Sequence, residues 1–453
     1  MTSLPPDHPD VLYFHDNPTP FVFHENEEEL AEEAGRRFGE TGQADAFKKF
    51  NQDCQTVVEF LQEGYRSGLP PTKQAAEKHL GADMTSLWIT GNARTLLARY
   101  FSSDPVKIYY AMSVTESGPV SLDEPFSAFT IPLMSSGSVF DGGVWVHVRG
   151  GIWNVAQALD RINRRLGMVV HTSASDCRIE RGARTVRFTV DGAQHEIAAS
   201  KIVFATDPLS AARLLADEAL TSRVSGMRAT GTSAKLVMIF RSPIRWIDGS
   251  DDLDSHAAFR FVVLNHTLEE FEHATREAAR GVDFAPGFLE IYCEGPAQEL
   301  LGETNQFHLI SVFFKNVGFG RYGRELPFVR DAVTRLVCAR LRNPDDLIET
   351  VLLTPLDLHQ EFFFPKGNID HVELAHGQTF FARNYSPDPS RSFYQFGDDP
   401  AFFYCGAGAY PCGSVAGTPG YMCARQIADG ESRSSSLTPF LPSVRASPLH
   451  SPR

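Results

Sequence analysis

The residues with the clearest capacity for chemistry lie near the C-terminus, in Phe402-Phe403-Tyr404-Cys405-Gly406-Ala407-Gly408-Ala409-Tyr410-Pro411-Cys412-Gly413-Ser414-Val415-Ala416-Gly417-Thr418-Pro419-Gly420. A short apolar strand leads into small residues and then a helix. Gly406 and Gly408 carry no Cβ and let the backbone approach a ligand closely. The helix presents free N–H groups and a positive dipole end to an anion or a carbonyl-rich ring. The competing reading is a tight turn followed by a closely packed helix. Upstream, His371 suits an acid or base, because imidazole changes charge near neutral pH, or it fixes a strand-end turn. Arg383 suits neutralisation of a carboxylate, or a structural ion pair with one of the 56 acidic residues. Tyr410 offers a hydrogen-bonding group or only fills volume. No C-x-x-C pair, no zinc-type Cys/His spacing and no Ser/His/Asp arrangement is present, so neither a metal site nor a nucleophilic triad is expected.

The elements that must position these residues alternate in type. An acidic helix is expected over 27–37 and a second over 44–63, with Phe47, Phe50, Cys54, Val57, Val58 and Leu61 on one face. Ile152, Val155, Leu159, Ile162 and Leu166 define a strongly amphipathic helix that Gly167 terminates. A strand over 168–172 follows, then a hairpin with Asp191-Gly192 at its turn and a buried strand from Lys201 to Ala205. Strands are expected at 235–241, 288–293 and 308–317, and a helix at 325–341. The first 24 residues read as irregular and residues 430–453, rich in Ser and Pro, as disordered.

Composition bounds the function. The 453 residues carry a formal charge of −14, which excludes a nucleic-acid footprint. No apolar run is long enough to span a membrane and no secretory signal or peroxisomal address is visible, which reads as cytoplasmic. Phe is in excess, 34 against 12 Tyr and 4 Trp. Compositional drift explains this, and so does an apolar cavity lined by rings without hydroxyls.

Taken as a whole, the 402–420 run resembles the C-terminal flavin-contacting motif of phytoene dehydrogenase-like FAD-dependent oxidoreductases. That family includes carotenoid desaturases, retinol saturases and pyridine nucleotide-disulphide oxidoreductase domain-containing relatives. Tyr410 stands where the family usually has His, Cys412 where it has Gly, and Ser414 where it has Gly. Three further stretches are similar to family segments: Thr354–Leu358 with Phe364–His371, continued by Gln378 and Phe381-Ala382-Arg383; Gly142–Trp145 through Gly150-Gly151; and Ile202–Pro208. The resemblance runs from about residue 11 to about residue 429.

It implies an α/β fold: an FAD/NAD(P)-binding, glutathione-reductase-like cofactor domain interleaved with a mixed β-sheet plus helix substrate domain. The cofactor implied is FAD, with Gly150, Gly151, Asp176, Ala205, Gly406, Gly408, Gly413, Ser414 and Val415 as contacts. His371, Tyr410 and Arg383 are the catalytic candidates, Arg383 balancing the charge of reduced flavin and Tyr410 replacing the flavin-proximal His. Such a domain opens with a strand–GxGxxG–helix unit. None lies near this N-terminus, so the cofactor domain is expected to be incomplete there, and strand 402–405 to lack its neighbour. The expected organisation is an irregular segment (1–24), a helical cap (25–140), a cofactor segment (141–225), a substrate domain (226–400), the strand–turn–helix (401–429) and a tail (430–453).

The function implied is hydride transfer between a hydrophobic substrate and FAD, by a shortened or split flavoenzyme. A protein partner would supply the missing block, and peripheral membrane contact fits a greasy substrate. The alternative is a non-catalytic remnant that binds a hydrophobic ligand or a protein partner without FAD.

Overall fold

In the computed structural model the structure describes residues 3–4, 10–14, 17–39, 44–69, 71–137, 139, 146–249, 258–282, 284–319, 326–390, 392–413 and 415–434. The strands in chain order are β1 (Ser3–Leu4), β2 (Asp10–Phe14), β3 (Asn17–Phe23), β4 (His147–Val148), β5 (Ser175–Glu180), β6 (Thr185–Val190), β7 (Ala193–Ala198), β8 (Ile202–Phe204), β9 (Ala234–Phe240), β10 (Arg260–Val263), β11 (Phe288–Tyr292), β12 (His308–Phe314), β13 (Leu347–Leu353) and β14 (Phe402–Tyr404).

Seven of them form one mixed sheet in the order β13-β9-β12-β11-β10-β2-β3. Only the β10–β2 pair is parallel. In β9 the residues Ala234, Leu236, Met238 and Phe240 are buried in strict alternation, the two-residue period of a strand. β2 and β3 correct the expectation of an irregular N-terminus. Val11 to Phe14 and Phe21 to Phe23 are apolar enough to pair. Pro18 and Pro20, which argued against a strand, lie on the sheet's edge, where a missing N–H costs no ladder bond.

Each face of this sheet has its own core. On one, Tyr13, Leu236, Met238, Val262, Leu289 and Val312 pack with Val329, Val333 and Val337 of helix Pro327–Cys338. On the other, Leu12, Phe14, Val263 and Phe288 meet the helices between residues 27 and 136. There Phe50 is surrounded by Trp88 (5.1 Å), Phe101 (5.1 Å) and Tyr110 (4.4 Å). Much of the phenylalanine excess therefore fills this helical core. The helix expected over 44–63 runs further, Ala44–Ser67.

Smaller sheets lie outside the seven-stranded one. β5, β6 and β7 form a three-stranded antiparallel sheet, with the expected hairpin turn at Asp191-Gly192. β8 and β14 form a two-stranded parallel sheet. No strand forms at 168–172, where the chain is irregular and exposed except for half-buried Val170.

The expectation that β14 stands with an open edge is also corrected. Its far side is occupied by the segment 394–396: Tyr404 N donates to Tyr394 O (2.9 Å) and Phe396 N to Phe402 O (2.8 Å). Phe396 in turn bridges Tyr385. Among the described residues the unpaired edge of this pair belongs to β8, where Val203 is 45% exposed.

Helix Trp153–Arg165 is amphipathic as expected yet buries no residue. Ile152, Leu159, Ile162 and Leu166 are 58%, 55%, 51% and 80% exposed. The last helix, Thr418–Ser434, continues past residue 429, so 430–434 are helical rather than disordered. The remainder of the expected tail, and Gly142–Trp145, lie outside the described residues.

Candidate functional site

The 405–413 turn owes its shape to small residues pressed against protein. A Cβ on Gly406 would lie 2.5 Å from Thr206 O and 3.0 Å from Ala205 O. On Gly408 it would lie 2.8 Å from the Tyr404 hydroxyl and 3.2 Å from that of Tyr385. Both glycines therefore serve close packing within the fold, with Ala205 as one of the surfaces. Gly413 faces Asp370: its N–H reaches Asp370 Oδ1 at 3.3 Å.

Arg383 fastens this turn. It is fully buried and its N–H groups donate to six backbone carbonyls, those of Ala407, Ala409, Asp370, Val372, Glu373 and Gln378, at 3.0–3.4 Å. Its geometry is that of a rivet between 370–378 and 407–409. His371 lies on the same segment in the left-handed region (φ 62°). Burial pushes its imidazole down to about 4, so it is neutral at pH 7, and its buried Nδ1 has no hydrogen-bond partner among the described residues.

Tyr410 belongs to the turn, but its ring packs among Tyr65, Phe393 and Phe380 in the helical core. Thus the structure brings His371, Arg383, Ala205, Gly406, Gly408 and Gly413 together. Val415 is exposed nearby in chain, and Ser414 lies outside the described residues.

The other expected contacts are elsewhere. Gly150 N donates to Gln298 Oε1 (2.8 Å), and Arg149 pairs with Glu303 (2.6 Å), which ties the start of helix Trp153–Arg165 to the substrate side. Gly151 is next to it. Asp176 is exposed at the start of β5. Among the described residues no hydrogen bond or ion pair joins Gly150, Gly151 or Asp176 to the 405–413 turn.

A cavity of about 350 Å³ lies between the seven-stranded sheet and the helical layer. Asp10, Phe261, Glu290 and Tyr292 line it from the sheet, Tyr109 and Met134 from the helices. Period-two geometry puts Asp10, Phe261, Glu290 and Tyr292 on the same sheet face, in register across β2, β10 and β11. The Tyr109 hydroxyl donates to Asp10 (2.5 Å) and the Tyr292 hydroxyl to Glu290 (2.6 Å). Burial raises Asp10 to about 6 and Glu290 to about 8.

Glu116 also lines the cavity. Buried Lys315, at the end of β12, donates to Glu116 O (2.5 Å) and Ser233 Oγ (3.0 Å) and stands 3.4 Å from the Glu116 carboxylate. Both charges act on Asp370, whose carboxyl is raised by burial. Adjoining Ser117 binds the 368–374 segment through Asn368 (2.6 Å) and Leu374 (2.7 Å).

Sequence reading missed Asp10, Glu116, Glu290 and Lys315. The signal was available: Phe288-Leu289-Glu290-Ile291-Tyr292 sets a carboxyl inside an apolar strand.

The residues present fit FAD only in part. At the ring end, the turn is rigidly held and His371 Nδ1 is an orphaned buried atom facing no protein partner. For the pyrophosphate, no G-x-G-x-x-G turn between a parallel strand and a helix occurs among the described residues. The chain's one G-x-G-x-x-G spacing is Gly318, Gly320 and Gly323, between β12 and helix Pro327–Cys338. β12 is antiparallel to both its neighbours, and a Cβ on Gly318 would lie 2.5 Å from Val282 O. The described context of Gly318 is therefore not that of a dinucleotide fingerprint.

No family model matches the chain. It is similar to the pyridine nucleotide-disulfide oxidoreductase domain-containing protein 2 of Rattus norvegicus, 22% identical over 373 residues, 78% of this chain and 63% of that protein. The Mus musculus protein of the same description is 22% identical over 382 residues, covering 80% and 64%. The chain thus spans a little under two thirds of the length of these curated relatives.

Among solved structures it is similar to cyclohexylamine oxidase from Brevibacterium oxydans IH-35A, at a TM-score of 0.53, 13% identity, 96% of this chain and 83% of that one. A triple mutant of putrescine oxidase redesigned in its cofactor binding gives 0.56, 11%, 95% and 82%. No helix of the described residues is long and apolar enough to cross a membrane. The chain shares the overall mixed α/β fold of these amine oxidases, with its seven-stranded mixed sheet and, among the described residues, a separate parallel pair formed by β8 and β14.

Proposed function

We propose that the chain is the substrate-binding and ring-facing part of an FAD-dependent oxidoreductase that moves hydride between a small organic substrate with an apolar body and the flavin. The observation that carries this reading is that Glu116, which lines the cavity and pairs with Lys315, adjoins Ser117, which is hydrogen-bonded to the 368–374 segment beside the 405–413 turn, in a fold shared with amine oxidases. Hydride acceptance is the flavin's own chemistry. The protein's part is to enclose the substrate between Phe261, Met134 and the tyrosines, to exclude water, and to hold a neutral imidazole at His371.

The dinucleotide end of FAD requires a strand–turn–helix block, on the same polypeptide or a second one. The open edge of β8 and the exposed apolar side of helix Trp153–Arg165 support docking there, since an unpaired parallel edge and an uncovered amphipathic face are both costly in water.

The test is gentle purification of the protein from its natural source. Flavin absorbance that comigrates with this chain and bleaches anaerobically with substrate supports the reading. A colourless native protein overturns it. A second reading is favoured by the self-sufficiency of the turn: β14 is flanked on both edges and Arg383 is saturated by carbonyls. On that reading the cavity binds its ligand without flavin, and the colourless result is the one expected.

A further inference from the structure

The cavity between the sheet and the helices has an unusual charge balance. Three carboxyl groups line it, Asp10 from β2, Glu116 from the loop after the helix Asp104–Ala111, and Glu290 from β11. The ammonium group in their neighbourhood, Lys315, is committed to Glu116 and Ser233. Asp10 and Glu290 each accept one tyrosine hydroxyl, and among the described residues neither forms an ion pair. A carboxyl group surrounded by protein without a cation is expensive in its charged form. Both nevertheless face a space large enough for a small molecule.

The same space is walled by aromatic faces. Tyr109 meets Phe261 edge-on at 6.0 Å, and Tyr292 meets Phe259 at 5.3 Å. Rings attract a cation through their quadrupole, and an adjacent carboxylate supplies the full opposite charge. An apolar body would be covered by Phe261, Ile131 and Met134. We infer that this cavity binds a small organic cation, an alkyl- or cycloalkylammonium whose charge lies between Asp10 and Glu290 and whose hydrocarbon part rests on the aromatic walls. This names the substrate class of the site proposed above and rests on that reading for its role in a reaction, but the binding itself requires no flavin. Because both carboxyls are held partly protonated in the free protein, binding expels protons and tightens as the pH is raised from 5 to 8.

The test uses the full chain and isothermal titration calorimetry with cyclohexylammonium and its neutral isostere cyclohexanol. Cyclohexylammonium is expected to bind at least ~10-fold more tightly, with proton release seen as a buffer-dependent heat. Asp10→Asn and Glu290→Gln, which imitate the protonated carboxyls and keep their tyrosine hydrogen bonds, are each expected to remove most of that preference. Circular dichroism confirms that the variants are folded. Equal affinity for the two probes, or a preference unchanged in Asp10→Asn combined with Glu290→Gln, overturns the inference. Cation binding in a protein that proves colourless would defeat the flavoenzyme reading and leave this one standing. Flavin-dependent turnover of neutral compounds without cation binding would do the reverse.

Discussion

Replacing Arg383 by methionine would keep most of the side-chain volume and remove the guanidinium. Six backbone carbonyls would then lose a donor, two of them, Ala407 and Ala409, in the turn between β14 and the last helix. A hydrogen bond from a charged donor contributes about 1.5–3 kcal/mol, but six such bonds to one group are not additive, and the carbonyls relax. Leaving a few of these buried carbonyls unsatisfied, at about 1–3 kcal/mol each, gives an expected loss of about 3–5 kcal/mol. That is a third or more of the roughly 5–15 kcal/mol that holds a typical domain together.

The loss should also be local, because the 370–378 and 407–409 segments are what the residue joins. Urea unfolding of Arg383→Met and Arg383→Lys against the parent gives the global figure, and hydrogen exchange read at 402–413 and at 234–240 gives its distribution. Lysine, with three donors on a flexible stem, should recover only part of the loss. The rivet would be refuted by Arg383→Met unfolding within about 0.5 kcal/mol of the parent with exchange at 402–413 unchanged. Combined with a loss of ligand binding, that outcome would return Arg383 to the role first expected of it.

Glu290 makes stability depend on pH. Its carboxyl is raised from 4.5 to about 8 in the folded chain, so its contribution is complete below about pH 4.5 and is lost as pH rises through 8. The parent should lose up to a few kcal/mol over that window, at about 1.4 kcal/mol per unit of displacement, and Glu290→Gln should flatten the curve in denaturant titrations at pH 5 and 8. Gly406→Ala should destabilise more than Gly408→Ala, since the first Cβ meets backbone oxygens and the second meets hydroxyls that can shift. Adding Tyr404→Phe should lessen the Gly408→Ala loss, and melting temperatures of the three variants settle the order. Leu159→Glu with Ile162→Glu should leave the melting temperature of the chain nearly unchanged, because both residues are more than half exposed. If that helix face docks a dinucleotide-binding block, the same pair should abolish copurification of flavin.

Local pattern determined much of this fold. The spacing of Phe47, Phe50, Val57 and Leu61, the stop at Gly167, the Asp191-Gly192 turn and the alternation in β9 each follow from forces acting within a few residues, and each is present as expected. The strand–glycine turn–helix at 402–420 was legible for the same reason, whereas the α/β fold class came from the resemblance of several such segments to a known family. What sequence could not show was which partner each element meets.

β2 and β3 were missed because two prolines spoil the strand pattern and only their place at the edge of a large sheet makes them tolerable. Residues 394–396 gave no sign that they would close the side of β14. The helix at 153–165 has the pattern of a buried face, yet burial depends on a neighbour, and none among the described residues covers it. Arg383 and His371 were picked out by type, but their roles depend on where they point: one into six carbonyls, the other with an unpartnered nitrogen in the interior. The carboxyls of Asp10 and Glu290 are 280 residues apart in the chain. Only the pairing of β2 with β10 and of β10 with β11 sets them on one face of one cavity, because register, and not proximity in sequence, decides which side chains share a surface.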